Sequence, residues 1–442
     1  MRYLSGKRLA AIGFAAGLVM QPLAADELST TVKQDYEQHL GALFEHFHRN
    51  PELSSLETKT AARLAKELRA AGFKVTEGVG GTGVVAIMKN GPGPLVMMRA
   101  DMDGLPVQEK SGLSYASKAM QEDWDGNQVW VMHACGHDVH ITSLVGTARA
   151  MANSKDTWSG TLMLVGQPAE ERVGGAKMMM EDGIWKRFGQ PDYALAFHVT
   201  SGAPTGKLIA VVGSPYSGAD TVDIEIHGVG AHGAAPHRGV DPVVLGSQIV
   251  LALQTVISRE LAPREPGVIT VGSFHAGTKH NIISDQAHLQ LTVRSESAAT
   301  RKLLLDGIER VAVNLGRVAG LPDDMLPEVT VSHEGVPPTL NDIELTQRLR
   351  GVWRKELGAD IFHDVKREGM GAEDFPFFVA DPYIPSTYFA VGGTPQADFD
   401  TEKAGGTAVP SHHSPLFKVK GEEAVRLGVE ATVHALRELL QE

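Results

Sequence analysis

At 442 residues with 43% apolar side chains, the chain can bury more than one sizeable core, and its 48 glycines against 6% aromatics suit a loop-rich α/β enzyme better than a coiled coil or a stacked repeat. A formal charge of −12 argues against nucleic acid as a partner, because that work needs clustered Lys and Arg to displace counterions. The single cysteine, Cys135, cannot form an intrachain disulfide.

In chain order, the first residues read as an export signal. Arg2, Lys7 and Arg8 form a basic head, residues 9–20 an apolar stretch, and Pro22-Leu23-Ala24-Ala25 a small-residue cleavage region. Residues 1–25 are therefore expected to be removed, leaving a periplasmic or secreted protein without a membrane anchor; no later stretch reads as apolar enough to span a bilayer. A buried N-terminal helix is the alternative. In an oxidising compartment a lone thiol needs an occupant, and metal coordination would provide one.

Helical period then covers residues 32–49 and 57–71, the latter with Ala61, Ala62, Leu64, Leu68 and Ala71 on one face. Strands follow at 84–88 and 95–98, a helix at 137–151, a strand at 161–165, a helix at 174–180 and a strand at 194–197. Such alternation implies α/β architecture, a mainly parallel sheet sandwiched by helices. Asp101, the Gln167 to Glu171 segment and His198 are each expected just past the C-terminal end of a strand, the edge where open α/β sheets bind ligands. From Pro215 the texture changes to strand 221–227, helix 241–261, strands 268–274 and 288–294, and helix 299–318. Residues 215–332 thus read as an inserted α+β, ferredoxin-like domain, dividing a catalytic domain into residues 26–214 and 333–442, with a final amphipathic helix over 422–440.

The densest chemistry is His133-Ala134-Cys135-Gly136-His137-Asp138-Val139-His140, where thiolate, imidazole and carboxylate donors of the kind divalent cations prefer lie within eight residues. Two other readings are a polar loop of satisfied histidines and a nucleophilic Cys135 activated by His137. Glu170-Glu171 suits a division of labour in which one carboxylate binds a cation and the other moves a proton, although adjacent glutamates elsewhere are usually a solvated face. His198 and the pair His412-His413 are weak signals alone. Gly230 to His237 forms a small-residue loop around His232, either a substrate-approaching element or a plain turn.

Taken together, Met98 to Pro106, His133 to His140, Gln167 to Glu171, Gly174 to Lys177, Gly230 to His237, Asn281 to Asp285, Gly371 to Phe375 and His413 to Pro415 resemble the M20 amidohydrolases, in the branch of hippurate hydrolase and the indoleacetyl-amino-acid hydrolases. The resemblance spans nearly all of the chain after residue 25. It implies a site for two divalent cations, zinc, manganese or cobalt, bridged by Cys135 and completed by His137, Glu171, His198 and His413. Glu170 then matches the general base, and Asp101 a carboxylate that orients a metal-binding His. It further implies that the inserted domain forms a homodimer and that His232 reaches the partner's site. In aminoacylase and carboxypeptidase relatives a metal-binding His stands at the position of Arg99 and an Asp forms the bridge. One departure lies at His280-Asn281-Ile282-Ile283-Ser284-Asp285, where the family commonly has Phe before the Asn and Pro before the Asp.

The expected reaction is hydrolysis of the amide bond of a small N-acyl amino acid or related amide by a metal-activated water. Asn281 and Arg294 are the candidates for holding the product-side carboxylate, a surface ion pair being the other reading of Arg294. The alternatives are a peptidase acting on short peptides and a non-catalytic metal-binding protein that has kept the fold.

Overall fold

The computed structural model describes residues 25–332, 335–364 and 369–441. The expected export segment lies outside them apart from Ala25, which opens the helix Ala25–Asp35. Eleven strands carry the architecture: β1 (Lys74–Val79), β2 (Gly83–Asn90), β3 (Leu95–Asp101), β4 (Gly160–Gln167), β5 (Tyr193–Pro204), β6 (Leu208–Ile209), β7 (Gly218–His227), β8 (Gly267–Ala276), β9 (Gln286–Ser295), β10 (Glu328–Val331) and β11 (Ser386–Thr394). Four helices matter most to the site: α1 (His137–Asn153), α2 (Pro242–Thr255), α3 (Ala298–Val318) and α4 (Gly421–Leu439).

The large sheet runs β1-β2-β4-β3-β5-β11-β6. Its four central strands are mutually parallel, and its edge strands are antiparallel. Strand β3 shows why the centre is parallel. It is apolar at nearly every position, as a strand covered on both faces must be. Its alternation sends Val96, Met98 and Ala100 into one core, shared with Leu144, Val145, Val429 and Val433 of α1 and α4. Met97 points the other way, into a second core with Met163, Ala194, Phe375 and Phe378.

Residues 218–331 build a second, four-stranded sheet in the order β8-β9-β7-β10, all antiparallel. With α2 following β7 and α3 following β9, this is the βαββαβ arrangement of ferredoxin-like units. Its last strand, β10, has only four residues and too little alternation to be foreseen. Val222, Ile224, Leu291 and Val293 face α2 and α3 and form a core of their own with Leu245, Ile249, Leu304 and Ile308. Asp241 starts α2 by accepting the amide of Val243 at 2.9 Å.

Two expectations need correction. His198 does not follow a strand end: it lies inside β5, which continues to Pro204. The strand reads short because its pairing with β3 stops at Arg99 and Ala196, so His198 emerges where the two parallel neighbours part. The second concerns hydropathy. The apolar stretch Pro242–Glu260 is, by length and composition, apolar enough to cross a bilayer, with mean hydropathy 1.3. Here it packs Leu245, Ile249 and Leu253 on the second sheet and leaves Val243, Val244 and Leu251 exposed.

Candidate metal centre and active site

The site lies at the carboxyl edge of the parallel strands, and each of its loops is held there by identifiable bonds. Gly136, with φ 87°, turns the chain into α1; a Cβ there would lie 2.3 Å from a Val199 methyl. The glutamate loop is pinned at Ala169, whose amide donates to Glu57 at 2.8 Å, and at Glu171, whose amide donates to Asp103 at 3.0 Å. The C-terminal loop is tied to the cysteine loop by the His413 amide on the Ala134 carbonyl at 2.9 Å. Ala169, Val173 and His413 all adopt positive φ, a strained choice for residues with a Cβ that tends to persist where side-chain aim matters.

These loops bring the five expected donors together. Cys135 Sγ lies 3.5 Å from His198 Nε2, Glu171 lies 3.8 Å from His137 Nε2 and 3.4 Å from His413 Nε2. Cys135 belongs to two groups of donors, one with His137 and His198 and the other with Glu171 and His413, each within 4.8 Å. Two ligands about 2.1 Å from one ion sit no more than about 4.2 Å apart, so the close pairs suit shared coordination. The hydrogen bonds agree: among the described residues, the buried atoms His137 Nε2 and Glu171 Oε1 have no hydrogen-bond partner, a costly condition that a cation would relieve. His198 turns Nδ1 to the Val199 carbonyl at 2.5 Å, leaving Nε2 free toward the thiol. Burial, then Glu171 and Glu170, push the Cys135 thiol well above its ordinary range. Burial alone would lower His137, yet Asp101 and Asp103 outweigh it and raise the ring to about 10. The His137 shift, and the part of the Cys135 shift that comes from Glu171 and Glu170, describe a field that favours positive charge at this spot. The residues therefore fit divalent cations.

Glu170 Oε2 stands 3.8 Å from His137 Nε2, and its carboxyl makes no hydrogen bond among the described residues. Burial, followed by the charges of Glu373, Glu171 and Asp374, raises its pKa well above the carboxylate range. That is the setting in which a carboxylate both accepts and returns a proton near neutrality.

Asp101 faces both His137 and His140, and its hydrogen bond goes to His140. Its Oδ1 bonds His140 Nδ1 at 2.5 Å and lies 3.8 Å from His137 Nδ1, whereas Asp103 Oδ1 is 3.2 Å from that atom. His140 is wholly engaged, since its Nε2 accepts the Val199 amide at 2.8 Å; burial holds it neutral, with a pKa of about 3. It ties α1 to β3 and β5. Reading donor types alone could not separate His137 from His140, because what separates them is their partners. His412, half-buried beside the cluster, accepts the Ser201 amide at 3.2 Å and lies 3.5 Å from Cys135 Sγ.

Arg99 anchors a neighbouring cluster. Fully buried, it reaches Gln167 at 2.7 Å, Asp101 at 2.6 Å, Glu373 at 2.7 Å and Asp374 at 3.2 Å. Glu373 also accepts the Tyr388 hydroxyl at 2.7 Å, and Asp374 the Gln167 amide at 2.6 Å. The sequence signal was present: a cation inside an apolar strand must be paired, and Glu373-Asp374 is the acidic pair in a segment otherwise unexplained.

The residues of the second sheet divide. Arg294 shares a cavity of about 350 Å³ with Glu171. His232 and Asn281 sit together elsewhere, where Ala231 and His232 pair with Ile283 and Ile282 and the Gly233 amide meets the Asn281 carbonyl at 2.9 Å. Both are exposed, and neither side chain bonds the metal cluster. Within one chain the two candidates for the product-side carboxylate do not meet: β9 carries Arg294 to one edge of the second sheet, while Asn281 precedes that strand at its other end.

Cation donors at the carboxyl edge of a parallel sheet, beside a carboxyl free to move protons, define a metal-dependent hydrolase. The bond it attacks, an amide or peptide, follows from its relatives. The chain belongs to the M20 family, matching Peptidase family M20/M25/M40 over residues 97–436. It is 36% identical over 416 residues to thermostable carboxypeptidase 2 of Saccharolobus solfataricus, spanning 93% of this chain and 97% of that one. It is 36% identical over 333 residues to hippurate hydrolase of Campylobacter jejuni, spanning 75% and 82%. Among solved structures it resembles the Bacillus subtilis YXEP protein, a dinuclear metal-binding peptidase of the M20 family, with TM-score 0.75, 25% identity, and coverage of 92% and 99%.

Proposed function

We propose that the protein hydrolyses N-acyl amino acids with an apolar acyl group, as an exported homodimer. One observation carries this reading: two cavities of opposite character adjoin the donor cluster. The first, about 460 Å³, runs from His412 along Ile209, Val211, Tyr216 and Tyr388, with no carboxylate among the described residues of its wall. The second holds Arg294 beside Glu171. An apolar acyl group and a carboxylate-bearing amine match that pair. A short peptide would place its ammonium group in the first cavity, where no described residue of the wall is anionic.

In this reading Cys135, His137, Glu171, His198 and His413 hold two divalent cations of zinc, manganese or cobalt, whose chemistry is to polarise the acyl oxygen and acidify water. Glu170 takes the proton of the attacking water and returns it to the leaving amine. Arg294 fixes the product carboxylate. His232 and Asn281, exposed together, serve the site of the partner subunit. The uncovered apolar side chains Val244 and Leu251 on α2 support association through the second sheet. The basic head and apolar stretch of residues 1–25 support export.

A panel of acyl-amino acids and dipeptides, run on metal-reconstituted protein, tests the substrate. Faster turnover of dipeptides would replace this reading with the peptidase one. Mixing inactive Glu170→Ala and His232→Ala subunits tests the assembly, since shared sites regain activity and independent sites do not.

A further inference from the structure

The cavity beside Glu171 holds a second arginine that the reaction as described leaves unused. Its wall comprises Glu171, Arg172, Val173 and Ala372 from the cluster side and Ala219, Thr221, Thr292 and Arg294 from the second sheet. Strand register explains the latter four: Ala219 pairs with Arg294 and Thr221 with Thr292, all on the face turned away from α2 and α3. Three small side chains thus leave open space in front of one guanidinium. Among the described residues Glu171 is the only acid in the wall, and it faces the donor cluster, 3.8 Å from His137 and 3.4 Å from His413.

Neither arginine has an ion pair among the described residues. Arg294 is half-buried and makes only a 3.4 Å contact with the neighbouring Val293 carbonyl. Arg172 is exposed but positioned: its guanidinium lies 4.3 Å from the centre of the Trp124 ring. The Trp124 N–H donates to the Ser54 carbonyl at 3.2 Å, and the Ser54 hydroxyl donates to Asp103 at 2.6 Å. Asp103 is the carboxylate that also receives the Glu171 amide. Arg172 is therefore fastened to the frame that aims the metal cluster. One guanidinium accounts for the α-carboxylate of a leaving amino acid; the second calls for another anion.

We propose that the leaving amino acid is acidic, aspartate or glutamate, with Arg172 the specificity-determining contact for its side-chain carboxylate. This rests on the acyl-amino-acid reading. The test holds the acyl group constant and compares glutamate with glutamine, and aspartate with asparagine, as the amine portion, using the metal-loaded full chain. The expected preference in kcat/KM is about tenfold or more for the acidic member. Arg172→Gln should erode that preference, with the loss in KM rather than kcat. Titration calorimetry should show free glutamate binding the parent more tightly than glutamine does, with the gap closing in the variant. Equal turnover of acidic and neutral substrates, or an equal loss on both in Arg172→Gln, overturns the inference and leaves the acyl-amino-acid reading standing. Failure to hydrolyse any acyl-amino acid, with dipeptides turned over instead, overturns both.

Discussion

Two clusters of buried charge share the carboxyl edge of the large sheet, and they differ in completion. Around Arg99, the carboxylates of Asp101, Glu373 and Asp374 are bound by the guanidinium and further served by Tyr388, Gln167 and backbone amides. Around Cys135, the buried atoms His137 Nε2 and Glu171 Oε1 have no hydrogen-bond partner among the described residues. The residue types are interchangeable as metal donors, and Glu373 and Asp374 even lie within 4.8 Å of Glu170. Hydrogen-bond accounting separates scaffold from site: a satisfied cluster holds position, and an unsatisfied one awaits a ligand.

The comparison breaks most visibly at Glu170, which belongs to neither account. Glu170→Gln should lower kcat by about 10³-fold while metal content, measured by atomic emission, stays at the parental level. Retained turnover would remove the proton-transfer role. On the scaffold side, Arg99→Leu strands three buried carboxylates and should cost about 3–5 kcal/mol of folding stability, read by denaturant titration of the metal-loaded protein. A small effect would mean that the acids repack or hold protons without it. On the unsatisfied side, chelation should abolish activity and lower stability by about 3 kcal/mol, if free cation exceeds its dissociation constant about a hundredfold beforehand. Cys135→Ser should reproduce part of that loss. An unchanged melting profile after chelation would show that the open donors are not metal ligands.

Much of this was legible in the chain. Apolar β3 ending in Arg99-Ala100-Asp101 and the strand before Gln167 placed two loops at one edge, and the unusual donors in His133 to His140 marked a third. What stayed hidden depended on distant partners. Nothing local shows that β3 and β5 part after Ala196, which is why His198 read as following its strand. Asp101 and Asp103 differ by two residues, yet only the fold shows that the first serves His140 and Arg99 and the second serves His137 and the Glu171 amide. Asn281 and Arg294, close in sequence, separate because β9 lies between them. Strand β10 was missed because four residues carry too little pattern.

A third cluster, smaller than either, sharpens the rule. His48 Nδ1 meets Asp138 at 2.6 Å and its Nε2 meets Glu109 at 3.2 Å, clamping the first turn of α1 to the helix Gly41–Arg49. Burial would lower the His48 pKa, but the bonds to Asp138 and Glu109 outweigh it and raise it to about 9. A folded value above the unfolded one, about 6.5, means stability fully present below pH 6.5 and lost as pH rises through 9. Its size is on the order of 3 kcal/mol. His48→Gln keeps most of the packing against Tyr115 and Phe44 but cannot carry the charge. The parent should therefore lose more stability than the variant between pH 6.5 and 9.5 in paired denaturant titrations. A difference between the two proteins that does not change with pH would show that His48 is held neutral, and that this cluster is satisfied by hydrogen bonding alone.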